Sequence, residues 1–314
     1  MRLIQFLRSV AALALGALTS GATHAAQTSA SAYASVQGYD AVTQSVTSAG
    51  SLISATAARD GQLGTGDVFT FAVASSRPGF LRASASSRGA TTGSPATDIG
   101  ASASASWSDS FVITSAGRSG QTGTWTGSVQ VDGGMATEFA GRAYVHSSVS
   151  AGVDIFPGTG YNGGRTVVGG GAWVDMGYDI APRRLGNPSD ALTLNLAVPF
   201  TFGQNIDVSL SLSTNASGRL LGGFVGLIDS GSARSLSDYA HSMTWGGISK
   251  VLDSDGIAVP GYSALSPTTN FDFATAVPEP NPSAMLLAGL MVGTIVTRLR
   301  RLSLRFQEAV AAAG

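Results

Sequence analysis

From residue 27 to residue 276 the chain alternates apolar and polar positions with a period of two, the pattern of strands buried on one face. DVFTFAVA (67–74) sets Val68, Thr70 and Ala72 opposite Phe69, Phe71 and Val73. WSDSFVIT (107–114) places Trp107, Asp109, Phe111 and Ile113 on one side, and TWTGSVQVDG (124–133) does the same with Trp125, Val129 and Val131. EFAGRAYVHSSV (138–149) sets Phe139, Ala143, Val145 and Val149 against Arg142, Tyr144 and His146. ALTLNLAV (191–198) and IDVSLSLS (206–213) each put four aliphatics on one side, and PFTFGQN between them reads as a hairpin turn around Gly203 and Asn205. A late pair, 238–252 and 270–274, would close the sheet. ASASAS (101–106) fits either a closely packed strand or a flexible lead-in.

Composition sharpens this picture. Of 41 glycines, 36 lie in the middle of the chain, among abundant Ser, Thr and Ala, which disfavours long helices and favours strands joined by turns. The expected fold is all-β, an antiparallel β-sandwich or jelly roll over 27–276. No strict internal repeat points to a solenoid or propeller.

The two ends break the alternation. Residues 1–26 combine Arg2 and Arg8, an apolar run from Val10 to Leu18, and small residues at Thr23 and Ala25. That is the layout of a signal peptide, cut after Ala25 or, with the larger His24 upstream, after Ala26. At the other end Val277, Pro278, Glu279 and Pro280 precede an apolar helix over 283–297, then the basic cluster Arg298, Arg300 and Arg301, then a cytoplasmic tail over 302–314. Prolines on both sides of Glu279 hold the backbone extended and remove two N–H donors, which suits an enzyme groove. The apolar stretch would be about 22 Å long as a helix, against a hydrocarbon core of about 30 Å. It could span only with snorkelling arginines and local thinning, so it suits a temporary anchor better than a permanent one. The arginines place both ends in the cytoplasm and everything between them outside the inner membrane.

Motif, helix and basic cluster over 277–301 resemble the PEP-CTERM sorting signal of Gram-negative bacteria. The resemblance implies recognition by exosortase, a membrane protease, transient residence in the inner membrane and release near the motif. It further implies a surface or extracellular-matrix protein associated with exopolysaccharide or biofilm. A plain uncleaved anchor is the competing reading of the same tail.

Charge and cysteine content exclude several classes. The net charge of −1 hides an asymmetry: six of 18 basic residues but one of 19 acidic residues fall outside 27–280, which leaves that span at −6. Such a surface repels phosphate backbones, so nucleic acid is not an expected partner. Without cysteine there is no disulfide framework, thiolate metal site or thiol nucleophile.

Candidate chemistry is sparse. GTGYNGG (158–164) has glycines at dinucleotide-loop spacing, but a strand-like run follows where a helix is required. Asp253 and Asp255 before Gly256 mimic the start of a calcium loop, yet no glutamate completes it, and LDSDG reads first as a turn. His146 and His241 lack partners at metal-ligand spacing, and G-x-S-x-G is absent. Asn215-Ala216-Ser217 matches the glycosylation sequon by chance. Trp107, Trp125, Trp173 and Trp245 sit in alternating apolar contexts and read mostly as core, with a sugar-stacking platform as the alternative. The sequence therefore predicts no catalytic residue, no metal site and no cofactor. The leading expectation is a non-enzymatic exported protein; a carbohydrate-binding module and a hydrolase using aspartates stand behind it.

Overall fold

A computed structural model describes residues 26–63, 66–92, 96–158, 166–177, 180–185, 192–221 and 230–277. The chain divides into two units, Met1–Ala276 and Val277–Gly314, and the strands of the described residues lie in the first. They are β1 (Gln27–Val36), β2 (Val42–Ser48), β3 (Ile53–Leu63), β4 (Gly66–Arg77), β5 (Phe80–Thr92), β6 (Thr97–Thr114) and β7 (Thr122–Gly141). Then come β8 (Ala143–Pro157), β9 (Thr166–Gly177), β10 (Ile180–Leu185), β11 (Leu192–Thr201), β12 (Asn205–Leu220), β13 (Ser230–Asp253) and β14 (Ser263–Leu265). No helix occurs among the described residues, and so none there is long and apolar enough to cross a membrane. The apolar segment 283–297 lies outside them.

Two antiparallel sheets form, as the alternation requires. The eight-stranded sheet runs β10-β9-β8-β12-β6-β1-β2, with β14 also pairing β6, and the six-stranded sheet runs β11-β7-β13-β5-β4-β3. The ASASAS stretch is strand, inside β6: Ala101, Ala103 and Ala105 are buried, and Ser102, Ser104 and Ser106 face outward. Three expectations need correcting. The segments 124–133 and 138–149 are not separate strands, because β7 continues to Gly141, where φ is +64° and a Cβ would lie 2.1 Å from the Ser230 carbonyl oxygen. The chain turns there, and only Ala143 onward belongs to β8. PFTFGQN does turn, with Gly203 at φ +82°, but β11 pairs β7 while β12 pairs β6 and β8, so the turn links two sheets and closes no hairpin. Residues 270–274 form only an isolated bridge, Leu265 to Asp272, and no full strand.

The core has three zones. Between the sheets, Ala30, Ala32, Ala34, Ala55, Ala57, Ala72, Ala74, Ala83 and Ala85 are buried, as is the alanine row of β6. Methyl-sized side chains let the sheets approach closely. Serines bridge the gap: Ser147 Oγ donates to the Leu236 carbonyl at 2.7 Å, Ser237 Oγ to the Ser148 carbonyl at 2.8 Å and Ser76 Oγ to the Ser106 carbonyl at 2.6 Å. At one end lies an aliphatic cluster of Val36, Val68, Ile99, Val145 and Leu220. At the other lie Trp107, Phe111, Trp125, Trp245 and Phe273, all fully buried. On β4 the thin interior reverses a choice that side-chain size alone would suggest. Val68, Thr70 and Ala72 point inward, and the larger Phe69 and Phe71 stand half-buried outside, with the Arg88 guanidinium 5.3 Å from the Phe69 ring centroid.

Candidate functional site

The candidate site is where the segment 263–276 docks on the aromatic end of the core. Its parts come from three strands. Asp109 on β6 is fully buried and accepts three hydrogen bonds: Ser110 N at 2.8 Å, Ser266 Oγ at 2.9 Å and Thr269 Oγ1 at 2.7 Å. A buried carboxylate is tolerated when donors saturate it, and these donors fix the loop 266–271. Within that loop Asn270 takes φ +57°, a conformation that Asn adopts more readily than most residues. The loop then delivers two rings into the core. Phe273 stacks on Phe111 at 4.3 Å and on Trp107 at 5.5 Å, and Phe271 meets Trp107 edge-on at 5.2 Å.

Backbone bonds lock the segment in place. The Phe273 carbonyl accepts from Trp245 Nε1 at 2.9 Å and from Ile248 N at 3.1 Å, while Phe273 N donates to the Ala264 carbonyl at 2.8 Å. The notch that receives it is the Gly246-Gly247 bulge of β13, where register shifts between Trp245 and Ile248. Gly247 has φ +85°, and a Cβ there would sit 2.9 Å from Ala276 N and 3.0 Å from the Thr275 carbonyl carbon. Paired glycines in a strand pattern signal such a close backbone approach. The Gly246-Gly247 pair is the one local sequence signal of the dock. Val277 is the last described residue; Pro278, Glu279, Pro280, Arg298, Arg300 and Arg301 lie outside the described residues. At the other end Ala25 also lies outside them, whereas Ala26 is buried just before β1.

Elsewhere the sequence-derived candidates separate. Trp107, Trp125 and Trp245 are fully buried, so no coplanar exposed set involves them, and Trp173 is half-buried on β9. LDSDG is a turn. The Asp253 carboxylate accepts Ile257 N at 2.9 Å, Asp255 N at 3.1 Å and Arg118 Nη1 at 3.0 Å. The Ile257 N–H is the main cause that holds this carboxyl below the usual aspartate value, against burial and with help from Arg118 and Asp255. A carboxylate committed to a guanidinium is a poor cation ligand, and no group of three metal-ligating side chains occurs among the described residues. Of GTGYNGG only Gly158 is described; β8 and β9 pair antiparallel across it, so 158–165 connects a hairpin and not a strand to a helix. Asn215 lies on the outer face of β12, and His241 is a β13 residue whose side chain lies outside the described set.

One pairing escaped the sequence because it is non-local. His146 Nδ1 lies 2.6 Å from Asp175 Oδ1 across the β8–β9 ladder, both groups more than a third exposed. Ser217 on β12 is the register partner of His146 on the other side, so the rank reads Ser, His, Asp. No hydrogen bond joins Ser217 to His146, and the strand N–H groups beside them are committed to the ladder and not free as oxyanion donors. Surface depressions of about 260 Å³ beside Gly141 and about 350 Å³ beside Ala26 are lined by Gly, Ala, Ser, Thr and one Gln, without a charged side chain.

Comparison with known proteins returned no matching family model, no similar curated protein and no similar solved structure.

Proposed function

We propose that this chain is an exported surface or extracellular-matrix protein, displayed as a β-sandwich outside the inner membrane and processed at its C-terminal tail by exosortase. In this reading residues 1–25 are the export signal, Val277 to Pro280 the recognition motif, 283–297 a transient membrane helix and Arg298, Arg300 and Arg301 its cytoplasmic stop. The partners are exosortase and the membrane during sorting, and exopolysaccharide afterwards. The protein performs no catalysis of its own.

The observation that carries the reading is an adjacency. The docked segment ends at Thr275 and Ala276 against Gly247, and the motif begins at the next residue, Val277. A cut within or just after the motif would therefore sever the tail without removing a core side chain. Removal of residues 1–25 likewise leaves β1 intact, since it starts at Gln27.

Intact mass of the protein recovered from its own host tests this. The expected species begins near Ala26 and ends near Pro280. A species still ending at Gly314 refutes the processing step and leaves a permanently anchored protein.

A further inference from the structure

A sheet edge presents unpaired N–H and C=O groups, and stable proteins blunt or cover such edges. The two sheets end in four strands, β10, β2, β11 and β3. Three carry a guard. In β10, Pro182 falls within a register shift and has no N–H to offer. In β11, Pro199 has no N–H to offer. On β3 the Thr56 N–H is taken by Gln44 Oε1 at 2.6 Å, and Arg59 and Asp60 add charge.

β2 has no such guard. Its sequence, VTQSVTS, contains neither proline nor charge, is rich in Val and Thr, and none of its residues is buried. A second feature marks the same edge. Six large hydrophobic side chains are more than a third exposed among the described residues, and three of them, Tyr33, Tyr39 and Leu52, sit on β1 and on the turns flanking β2. Leu52 is the most exposed of all, at 68 %.

We propose that β2 is a self-association edge, at which a second copy of this chain pairs antiparallel about a two-fold axis through Ser45. Ser45 is the middle residue of the seven-residue strand, so this register alone pairs all of it: Val42 with Ser48, Thr43 with Thr47 and Gln44 with Val46 of the other copy. A closed two-fold pair of this kind is self-complementary. Parity is preserved. Outward-facing Thr43, Ser45 and Thr47 meet outward-facing residues, and the hydroxyl ranks of the outer face continue across the junction. Those ranks already bond within one copy, Ser29 to Ser106 at 2.7 Å and Ser31 to Ser104 at 2.8 Å. Leu52 and Tyr39 lie on the two turns that flank the junction. The inference is independent of how the tail is processed.

The chain has no native cysteine, so one introduced thiol reports on itself alone. The full-length chain in mild detergent is used. Wild type sediments as a dimer, and Ser45→Cys forms a disulfide-linked dimer under mild oxidation, because the two positions 45 face each other. Val167→Cys, also exposed but on β9, remains uncrosslinked. Ser45→Lys weakens dimerisation on the order of fivefold, and the double variant Thr43→Lys/Thr47→Lys, which opposes lysines twice, on the order of tenfold or more. A wild-type monomer overturns the proposal; if its β2 amides are protected from exchange, the chain's own tail is the occupant. A dimer that survives both lysine variants, with Ser45→Cys uncrosslinked, also overturns it by placing the interface elsewhere.

Discussion

Replacing Phe273 with alanine tests whether the last segment is part of the core or only leans on it. The ring is fully buried and packs against Phe111, Phe271, Trp107 and Trp245 at centroid distances of 4.3, 4.9, 5.5 and 5.5 Å. Phe→Ala in a core costs about 3–5 kcal/mol, and the cost rises when neighbours cannot collapse into the space. Here three of the four neighbours stand on paired strands of both sheets, β6 and β13, so collapse is restricted and about 4 kcal/mol is expected. For a domain of this length that lowers Tm by roughly 8–16 °C. Thermal and denaturant unfolding would be followed by tryptophan fluorescence, with Leu265→Ala, 47 % exposed, as the control that should shift little. A local failure is separable from a global one. If only 263–276 detaches, the Phe273 and Ile248 amides lose exchange protection while β12 amides keep theirs. A shift below about 2 °C with those two amides still protected would refute the account of the dock.

Two further outcomes follow from the same contacts. Trp107 and Trp125 bury an indole N–H without a partner, whereas Trp245 Nε1 bonds the Phe273 carbonyl; Trp107→Phe should therefore cost less than Trp245→Phe, by about 1 kcal/mol in denaturant titrations, since only the second discards a made bond. The Asp253 carboxyl titrates below its unfolded value of about 3.9, so its contribution is whole above that value and is lost as pH falls through the folded one; the stability difference between wild type and Asp253→Asn should stay level from pH 7 to about pH 5 and shrink below about pH 4.

Much of the strand content could be read from alternation because that signal is local. Trp107, Phe111 and Ile113, and likewise Leu194, Leu196 and Val198, are buried along the faces their spacing marks. Which sheet a strand joins is not local, and β11 and β12 show why: a short turn looks the same whether its arms pair or part. Nor does a period of two say which face is inside. On β4 an interior filled by alanines of the neighbouring strands has no room for Phe69 and Phe71, so the smaller set points in. The turn at Asp253 was readable because its bonds span two and four residues. The carboxylate of Asp109 was not, because its hydroxyl partners lie 157 and 160 residues away. His146 and Asp175 meet only once β8 and β9 are in register.

If the chain is exported as proposed, the position of the dock bears on the order of events outside the membrane. Phe273 completes an aromatic cluster whose other members come from β6, β7 and β13, so that end of the sandwich stays open until residue 273 has arrived. In a chain exported from its N-terminus, residue 273 is among the last of the domain to emerge. Until then Trp107 and Trp245 lack their cover, and uncovered aromatic surface invites aggregation. The motif at 277–280 follows the plug by four residues. If the tail is held in the membrane as proposed, the open intermediate is kept apart from its neighbours while the plug docks, and a protease acting on the motif releases a domain that has already closed. The short spacing between plug and motif then has a physical use: cleavage and completion of the core are nearly coincident along the chain, so a Phe273→Ala protein should be released with its aromatic end still open and be lost to aggregation or proteolysis in the host.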